Sequence, residues 1–326
     1  MIQAGIAAPS MAPRLGREVL RERGGVEYRA LATRSLVNRC ISKRMFFEWT
    51  VNPYRGCAMG CRYCYATYTH EYLGVTDSEE FHTRVYFKTG GEEETARRVN
   101  AVRLRGEWIA LGTATDPYQP GETELGVTRR FLEICVQHRG LRLMITTKGA
   151  GILRDLDLLV RIQKRSELRV HVSLISPDAE LLRRLEPLAP PTTVRIEMMR
   201  RLVEAGIEVS HTLAPILPGI TDREADLDEL MRRVREAGVR AFTYNPLFLR
   251  SPTREKYLRF VASEFPRYLA AYQQAYARSA YLGGTYRKRL RVLMDKLRAK
   301  HGFVRMSDDL PAEMGPRPAQ QLGLFA

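Results

Sequence analysis

The sequence predicts an α/β fold in which six strand–helix units run in parallel and curl into an open or partial barrel. Short β-rich runs alternate with amphipathic helical runs, and Gly140, Gly206 and Gly238 fall where a helix should stop and the next strand begin. Taken in order, strands rich in apolar and β-branched residues are expected at 46–52, 108–112, 141–146, 169–174, 207–213 and 241–244. The helices are expected at 64–72, 92–103, 124–138, 151–163, 193–204 and 221–237. Within 124–138 the residues Phe131, Leu132, Cys135 and Val136 recur at helical spacing, which makes Cys135 a core thiol.

In a parallel barrel the reactive residues gather on loops beyond the C-terminal ends of the strands. The unusual polar insertions all fall at such points: a cysteine loop after the first strand, then 112–118, 146–149, 173–176, 214–219 and 245–246. Six loops on one face imply a shared site. Beyond about residue 250 the alternation gives way to helical stretches. In the first of these Tyr257, Val261, Phe265, Tyr268, Tyr272 and Tyr276 recur near helical spacing, a stripe read as packing in preference to a base-stacking platform. The expected plan is a partly disordered N-terminal tail at 1–39, a core at 40–250, a basic helical extension at 251–305 and a C-terminal tail at 306–326.

At 326 residues and 44% hydrophobic composition the chain can bury a sizeable core, and no uncharged apolar run approaches the ~18 residues of a membrane span. Its first thirteen residues contain Pro9 and Pro13 with no basic residue ahead of them, which favours a tail over a secretion signal. Few cysteines and no export signal lead to the expectation of a reducing cytoplasm. The net charge is +15, and from Arg278 to Arg305 nine Lys/Arg face one acid, Asp295. Leu290, Leu293, Met294 and Leu297 would dock one face of this segment, leaving Arg287, Lys288, Arg291, Lys296, Arg298 and Lys300 largely outward. Such a stripe suits a phosphate backbone, with Lys288, Arg289 and Arg291 as candidate contacts; a merely solvated face is the alternative.

The densest chemical signal is Cys57-Ala-Met-Gly-Cys61-Arg-Tyr-Cys64. Three closely spaced thiols without a fourth partner suit an iron-sulfur cluster that keeps one iron open, since a disulfide needs pairs and structural zinc needs four ligands. A zinc knuckle completed by His70 or a distant residue is the alternative. Cys40 has no partner motif.

The segment 52–65 resembles the signature of radical S-adenosylmethionine (radical SAM) enzymes, in the branch related to spore photoproduct lyase and described as DNA repair photolyase-like. The resemblance runs through 112–120, Thr147-Lys148, Arg154-Asp155, Glu186-Pro187 and 214–219, so it spans about 40–250. It implies a partial (β/α)6 TIM-type barrel and a [4Fe-4S] cluster on Cys57, Cys61 and Cys64. The open iron would bind S-adenosylmethionine, which one-electron reduction splits to a 5'-deoxyadenosyl radical. It also implies an electron donor such as flavodoxin or ferredoxin. By the same similarity Tyr63 packs near adenine, Lys148 and Ser173 lie near the methionine carboxylate, and Thr115 and Asp116 lie near its amino group. Loop packing for Tyr63, a surface lysine, a strand-end serine and a turn-capping Asp116 are the structural alternatives.

Tyr65 matches a family tyrosine of the radical relay. The family cysteine that returns a hydrogen atom to thymine is replaced by Thr113, whose O–H is a far poorer donor. The expectation is therefore radical SAM chemistry on nucleic acid, as lesion repair or nucleotide modification. A protein or small-molecule substrate, and a metal-stabilised nucleic-acid-binding protein without turnover, are the alternatives.

Overall fold

The computed structural model describes residues 15–40, 45–75, 77 and 79–305. The chain begins with strands β1 (Leu15–Arg23), β2 (Val26–Ala32), β3 (Val37–Arg39), β4 (Trp49–Val51) and β5 (Tyr54–Arg55). A one-turn helix α1 (Glu80–Thr83) leads into β6 (Arg84–Thr89), and α2 (Glu92–Leu104) leads into β7 (Trp108–Leu111). The short α3 (Glu122–Leu125) and α4 (Val127–Val136) cross to β8 (Arg142–Thr147), and α5 (Leu156–Gln163) crosses to β9 (Glu167–Ser173). Helices α6 (Ala179–Leu185) and α7 (Thr192–Glu204) precede β10 (Glu208–Ile216), and α8 (Glu224–Glu236) precedes β11 (Ala241–Pro246). The chain then runs through α9 (Thr253–Glu264), α10 (Leu269–Ala275) and α11 (Gly284–His301).

The larger sheet has the order β11-β10-β9-β8-β7-β4-β3. Every neighbouring pair from β4 to β11 is parallel, and β3 lies antiparallel to β4. All six expected strands are present, each close to its expected position. Helices cover the sheet, so its strands are buried on both faces and read as near-continuous apolar runs: all of β7 is buried, as are Leu143, Ile145, Val170 and Val172. Val304 bridges Ala241 and donates its N–H to the Arg240 carbonyl at 2.9 Å, so the chain beyond α11 covers part of the β11 edge.

The segment 15–39 is not a tail. Strand β1 pairs antiparallel with β2, β2 runs parallel to β6, and β6 pairs antiparallel with β5, giving a second sheet of order β1-β2-β6-β5. Val26, Tyr28 and Leu31 of β2 are buried. The Tyr28 ring packs so closely on the loop after β7 that a Cβ on Gly121 would lie 2.4 Å from it. This sheet matters to the site because β5 delivers the chain directly into the cysteine loop. The parts of both expected tails at 1–14 and 306–326 lie outside the described residues.

The first helical stretch expected beyond residue 250, which carries the stripe from Tyr257 to Tyr276, is two helices, because Pro266 at the start of a short 3-10 turn cannot continue the hydrogen bonding of α9. Its aromatic stripe does pack: Tyr257, Tyr272 and Tyr276 are buried, with the last two stacked at 6.1 Å. Among the described residues no helix is long and apolar enough to cross a membrane.

Tyr28→Ala should destabilise the protein by about 3–5 kcal/mol, the usual range for deleting a buried aromatic side chain. A lower urea midpoint at unchanged m-value is the expected result; a peripheral tail would shift it by less than ~0.5 kcal/mol.

Candidate active site

The cysteine loop is held from several sides by its own backbone. Gly56 enters it at φ +88°, and a Cβ there would lie 2.8 Å from the Phe81 carbonyl, so only glycine fits the approach. The Cys57 N–H donates to that same carbonyl at 3.0 Å. Gln119 accepts from the Ala58 N–H at 2.8 Å, and Thr115 Oγ1 donates to the Gly56 carbonyl at 2.6 Å. His82 Nδ1 donates to the Cys57 carbonyl at 2.9 Å; burial holds this imidazole down to about 4, so it is neutral near pH 7. On the far side Thr253, the first residue of α9, donates to the Cys64 carbonyl at 2.9 Å.

Cys57 and Cys61 are buried and Cys64 is half-buried. Burial pushes Cys57 up to about 12, with Asp116 and then Cys64 adding to it, and burial also raises Cys61 and Cys64. Backbone N–H groups of Met59 and Asp116 face the Cys57 sulfur, and that of Ala66 faces Cys64. Three coupled thiols that resist ionisation, with amide donors already aimed at two of them, fit a cationic group that takes thiolates as ligands. No three His, Cys, Asp or Glu side chains, these thiols included, form a ready-made ion cage among the described residues. The zinc alternative through His70 finds no support: its Nε2 meets the Arg84 carbonyl at 2.9 Å, and its ring packs on Phe81.

Beside the thiols, the loops after β7, β8 and β9 meet. Asp116 Oδ1 accepts from Thr147 Oγ1 at 2.6 Å and from the Tyr118 N–H at 2.9 Å. Its Oδ2 accepts from the Lys148 N–H at 2.7 Å. Asp116 therefore caps and joins two loops, the structural reading of this residue; burial raises its pKa in spite of these bonds. Gly149 allows the contact, since a Cβ there would meet the Tyr118 carbonyl at 2.2 Å.

Lys148 is no surface lysine. Its Nζ donates to Ser173 Oγ at 3.1 Å and lies 6.0 Å from the centre of the Tyr63 ring. Burial works against its charge, but Cys61, Glu186 and Asp116 outweigh that and hold the ammonium above its usual range. Tyr63 donates its phenol to Glu186, whose other oxygen pairs with Arg195. Both Glu186 and Arg195 are fully buried, and Arg195 also donates to the carbonyls of Pro190 at 2.6 Å and Ser173 at 3.0 Å. Burial disfavours the Glu186 carboxylate, yet Arg195 and Lys148 hold it below its usual range.

The structure thus brings Cys57, Cys61, Cys64, Tyr63, Thr115, Asp116, Lys148 and Ser173 to one rim. Tyr65, 48% exposed, sits at its edge and donates its phenol to the Thr113 carbonyl. Thr113 Oγ1 accepts from Asn52 Nδ2 at 3.0 Å.

The basic stripe faces largely outward, with Lys288, Arg289, Lys296 and Lys300 exposed, but part of it is paired. Lys296 pairs with Glu224 and Lys300 with Asp228, both at 2.6 Å, and Arg298 stacks on Phe242 at 4.1 Å. Arg289 lies 3.9 Å from Asp222. Lys288 and Arg291 make no ion pair among the described residues. α11 packs on α8, which brings Glu224 and Asp228 to the stripe.

Sequence reasoning gave no role to Glu186, Arg195, Gln119, His82 or Thr253. The Asp116-Pro-Tyr-Gln119 and Glu186-Pro187 motifs could have pointed to Gln119 and Glu186. Thr253 carries no such signal. The Arg154-Asp155 motif is structural: Arg154 bonds Glu122 at 3.0 Å and Asp155 at 3.1 Å beneath the rim.

Comparison with known proteins agrees with this geometry. An uncharacterized protein of Mycobacterium tuberculosis is 33% identical over 289 residues, covering 88% of this chain and 84% of that protein. The fold is similar to that of spore photoproduct lyase complexed with dinucleoside spore photoproduct, at TM-score 0.61, 15% identity and coverage of 85% and 81% of the two chains. It is also similar to Streptococcus suis SuiB bound to precursor peptide SuiA, at TM-score 0.50 and 12% identity over 80% of this chain and 49% of that one. Residues 51–234, more than half of the chain, match the family model described as the Radical SAM superfamily. Three thiols on one loop, at the rim of a six-stranded parallel sheet, belong in that match: the chain is a member of the radical SAM superfamily, whose cofactors are a [4Fe-4S] cluster and S-adenosylmethionine.

Proposed function

We propose that this protein reductively cleaves S-adenosylmethionine at a cluster held by Cys57, Cys61 and Cys64 and turns the resulting radical on nucleic acid. The observation that carries the reading is the hydrogen bond of the half-buried Lys148 to the buried Ser173 beside the three thiols. An ammonium and a hydroxyl, both facing the rim, suit the carboxylate of the methionine half. Tyr63 supplies a buried aromatic face within reach of the same ammonium, suited to adenine. The backbone of the loop after β7 is offered to the methionine amino group, because the Thr115 and Asp116 side chains are already spent on Gly56, Thr147 and Lys148.

When bound, the cofactor pair supplies the hard step: one electron from the cluster breaks the sulfonium C–S bond to methionine and a 5'-deoxyadenosyl radical, which takes a hydrogen atom from substrate. The protein's part is orientation and exclusion of water. Tyr65 at the edge is placed to exchange a hydrogen atom with substrate. Its half-exposed ring is reachable from solvent, and the Thr113 carbonyl fixes its hydroxyl. Because Thr113 replaces the family thiol, the reading is lesion repair or nucleotide modification without a cysteine as final donor. An excess of +15 charges and the fold shared with a lyase seen with a dinucleoside lesion support nucleic acid as substrate. A flavodoxin- or ferredoxin-type protein would supply the electron.

Cys61→Ala, reconstituted without oxygen, should lose the iron, sulfide and visible absorption that wild type acquires; full retention would remove the cysteine assignment. Lys148→Met should keep the cluster yet bind S-adenosylmethionine roughly 10- to 100-fold more weakly by equilibrium dialysis, the loss expected for a hydrogen bond to a charged group. Unchanged affinity would remove Lys148 from the cofactor site.

A further inference from the structure

Among the described side chains, only two aromatics are exposed, and both lie on one helical segment. Tyr65 and Tyr72, at 48% and 49% exposure, open and nearly close the nine-residue 3-10 helix Tyr65–Leu73 that follows Cys64. Between them Tyr68 is half-buried and meets Tyr72 edge-on at 6.1 Å. The opposite face of this helix, Ala66, Thr67, Thr69, His70 and Leu73, is buried and fixes the tyrosines outward. Its inner end is the barrel rim, since Tyr65 reaches the Thr113 carbonyl.

Two cations flank these rings. Arg55, half-buried on β5, precedes Gly56, where a Cβ would lie 3.0 Å from the His70 ring of this helix, and forms no ion pair among the described residues. Arg250, exposed after β11, lies three residues before Thr253, whose hydroxyl meets that of Thr67 on this helix at 2.6 Å. Burial already works against the Arg55 guanidinium, so an anion that reaches it gains more than at a fully hydrated arginine. A partner that brings flat rings and negative charge at regular intervals would satisfy the whole surface. Unpaired nucleic acid has both, and stacking on aromatics tolerates any base.

Resting on the nucleic-acid reading above, we infer that Tyr65, Tyr68 and Tyr72, with Arg55 and Arg250, form a track that guides a single-stranded or unstacked segment to the rim, bases on the tyrosines and phosphates on the arginines. The track is separate from the basic stripe of α11, of which Lys296 and Lys300 pair with α8. An acidic peptide would use the two arginines but would gain little from the ring faces.

The test is fluorescence anisotropy of a labelled oligothymidylate with the anaerobically reconstituted holoprotein, at several salt concentrations. Tyr72→Ala should weaken binding roughly 5-fold or more, the loss expected when one base stack is removed, while Tyr72→Phe keeps the ring face and the affinity. Arg55→Gln should weaken binding and flatten the salt dependence by about 0.7 log units per log unit, one single-strand phosphate contact. Cluster content and the urea midpoint, equal to wild type, confirm that each variant is folded. If wild type binds the oligonucleotide and both variants bind as tightly, the track is wrong and the nucleic-acid reading stands. If wild type binds no oligonucleotide at low salt, or prefers a poly-glutamate peptide of equal charge, both are overturned.

Discussion

An ammonium drawn partly out of water needs negative charge around it, and the rim of this barrel is arranged around the half-buried Lys148. Its neighbours are Asp116 after β7, Glu186 before α7 and the Cys61 thiol, with Ser173 Oγ as direct acceptor. Glu186 is in turn neutralised by Arg195, which fastens Ser173 and Pro190 by their carbonyls. Two cations and two anions thus cancel within the protein. Isolated buried charges cost several kcal/mol each, so this balance is a condition for the rim to exist. It also leaves nothing to neutralise three thiolates. Burial, with Asp116, Glu186 and neighbouring thiols adding to it at Cys57 and Cys61, pushes all three thiols upward; under the proposed assignment the positive charge that lets them ionise arrives with the cluster.

The same arrangement explains why the cluster loop is supported from outside the barrel. The small sheet sets its entrance through β5 and Gly56, Gln119 and His82 hold its backbone, and Thr253 of the helical extension closes its exit. Such supports position ligands without binding anything themselves, and the extension beyond residue 250 is therefore part of the site's scaffold.

Most of the six barrel strands were legible because they are buried runs that follow a helix, several with a glycine between, and burial on both faces leaves a strong apolar signal. The small sheet was not. Its first strands, in Leu15-Gly-Arg-Glu-Val-Leu-Arg-Glu-Arg23, Gly24-Gly25 and Val26-Glu-Tyr-Arg-Ala-Leu-Ala32, carry a charge at many positions and read as a polar tail. The Gly24-Gly25 pair is a hairpin signal, but the pairing that buries Tyr28, β2 with β6, joins segments more than fifty residues apart. The cysteines were legible from spacing, Lys148 and Ser173 from resemblance. Asp116 shows the limit of resemblance: its side chain was read as a possible ligand, and its oxygens are occupied by Thr147, Tyr118 and Lys148. Glu186, Arg195 and Thr253 acquire meaning only from contacts that fold 9 to 189 residues of chain back on itself.

The central claim is that the rim around Lys148 presents S-adenosylmethionine to a reducible cluster on the cysteine loop. It is tested most directly by a single-turnover experiment: reduced, oxygen-free holoprotein is mixed with S-adenosylmethionine, and 5'-deoxyadenosine and methionine are quantified against cluster. The account predicts both products in equal amounts, dependent on reduction of the cluster. A fully loaded, fully reduced cluster that binds S-adenosylmethionine and yields neither product would contradict it.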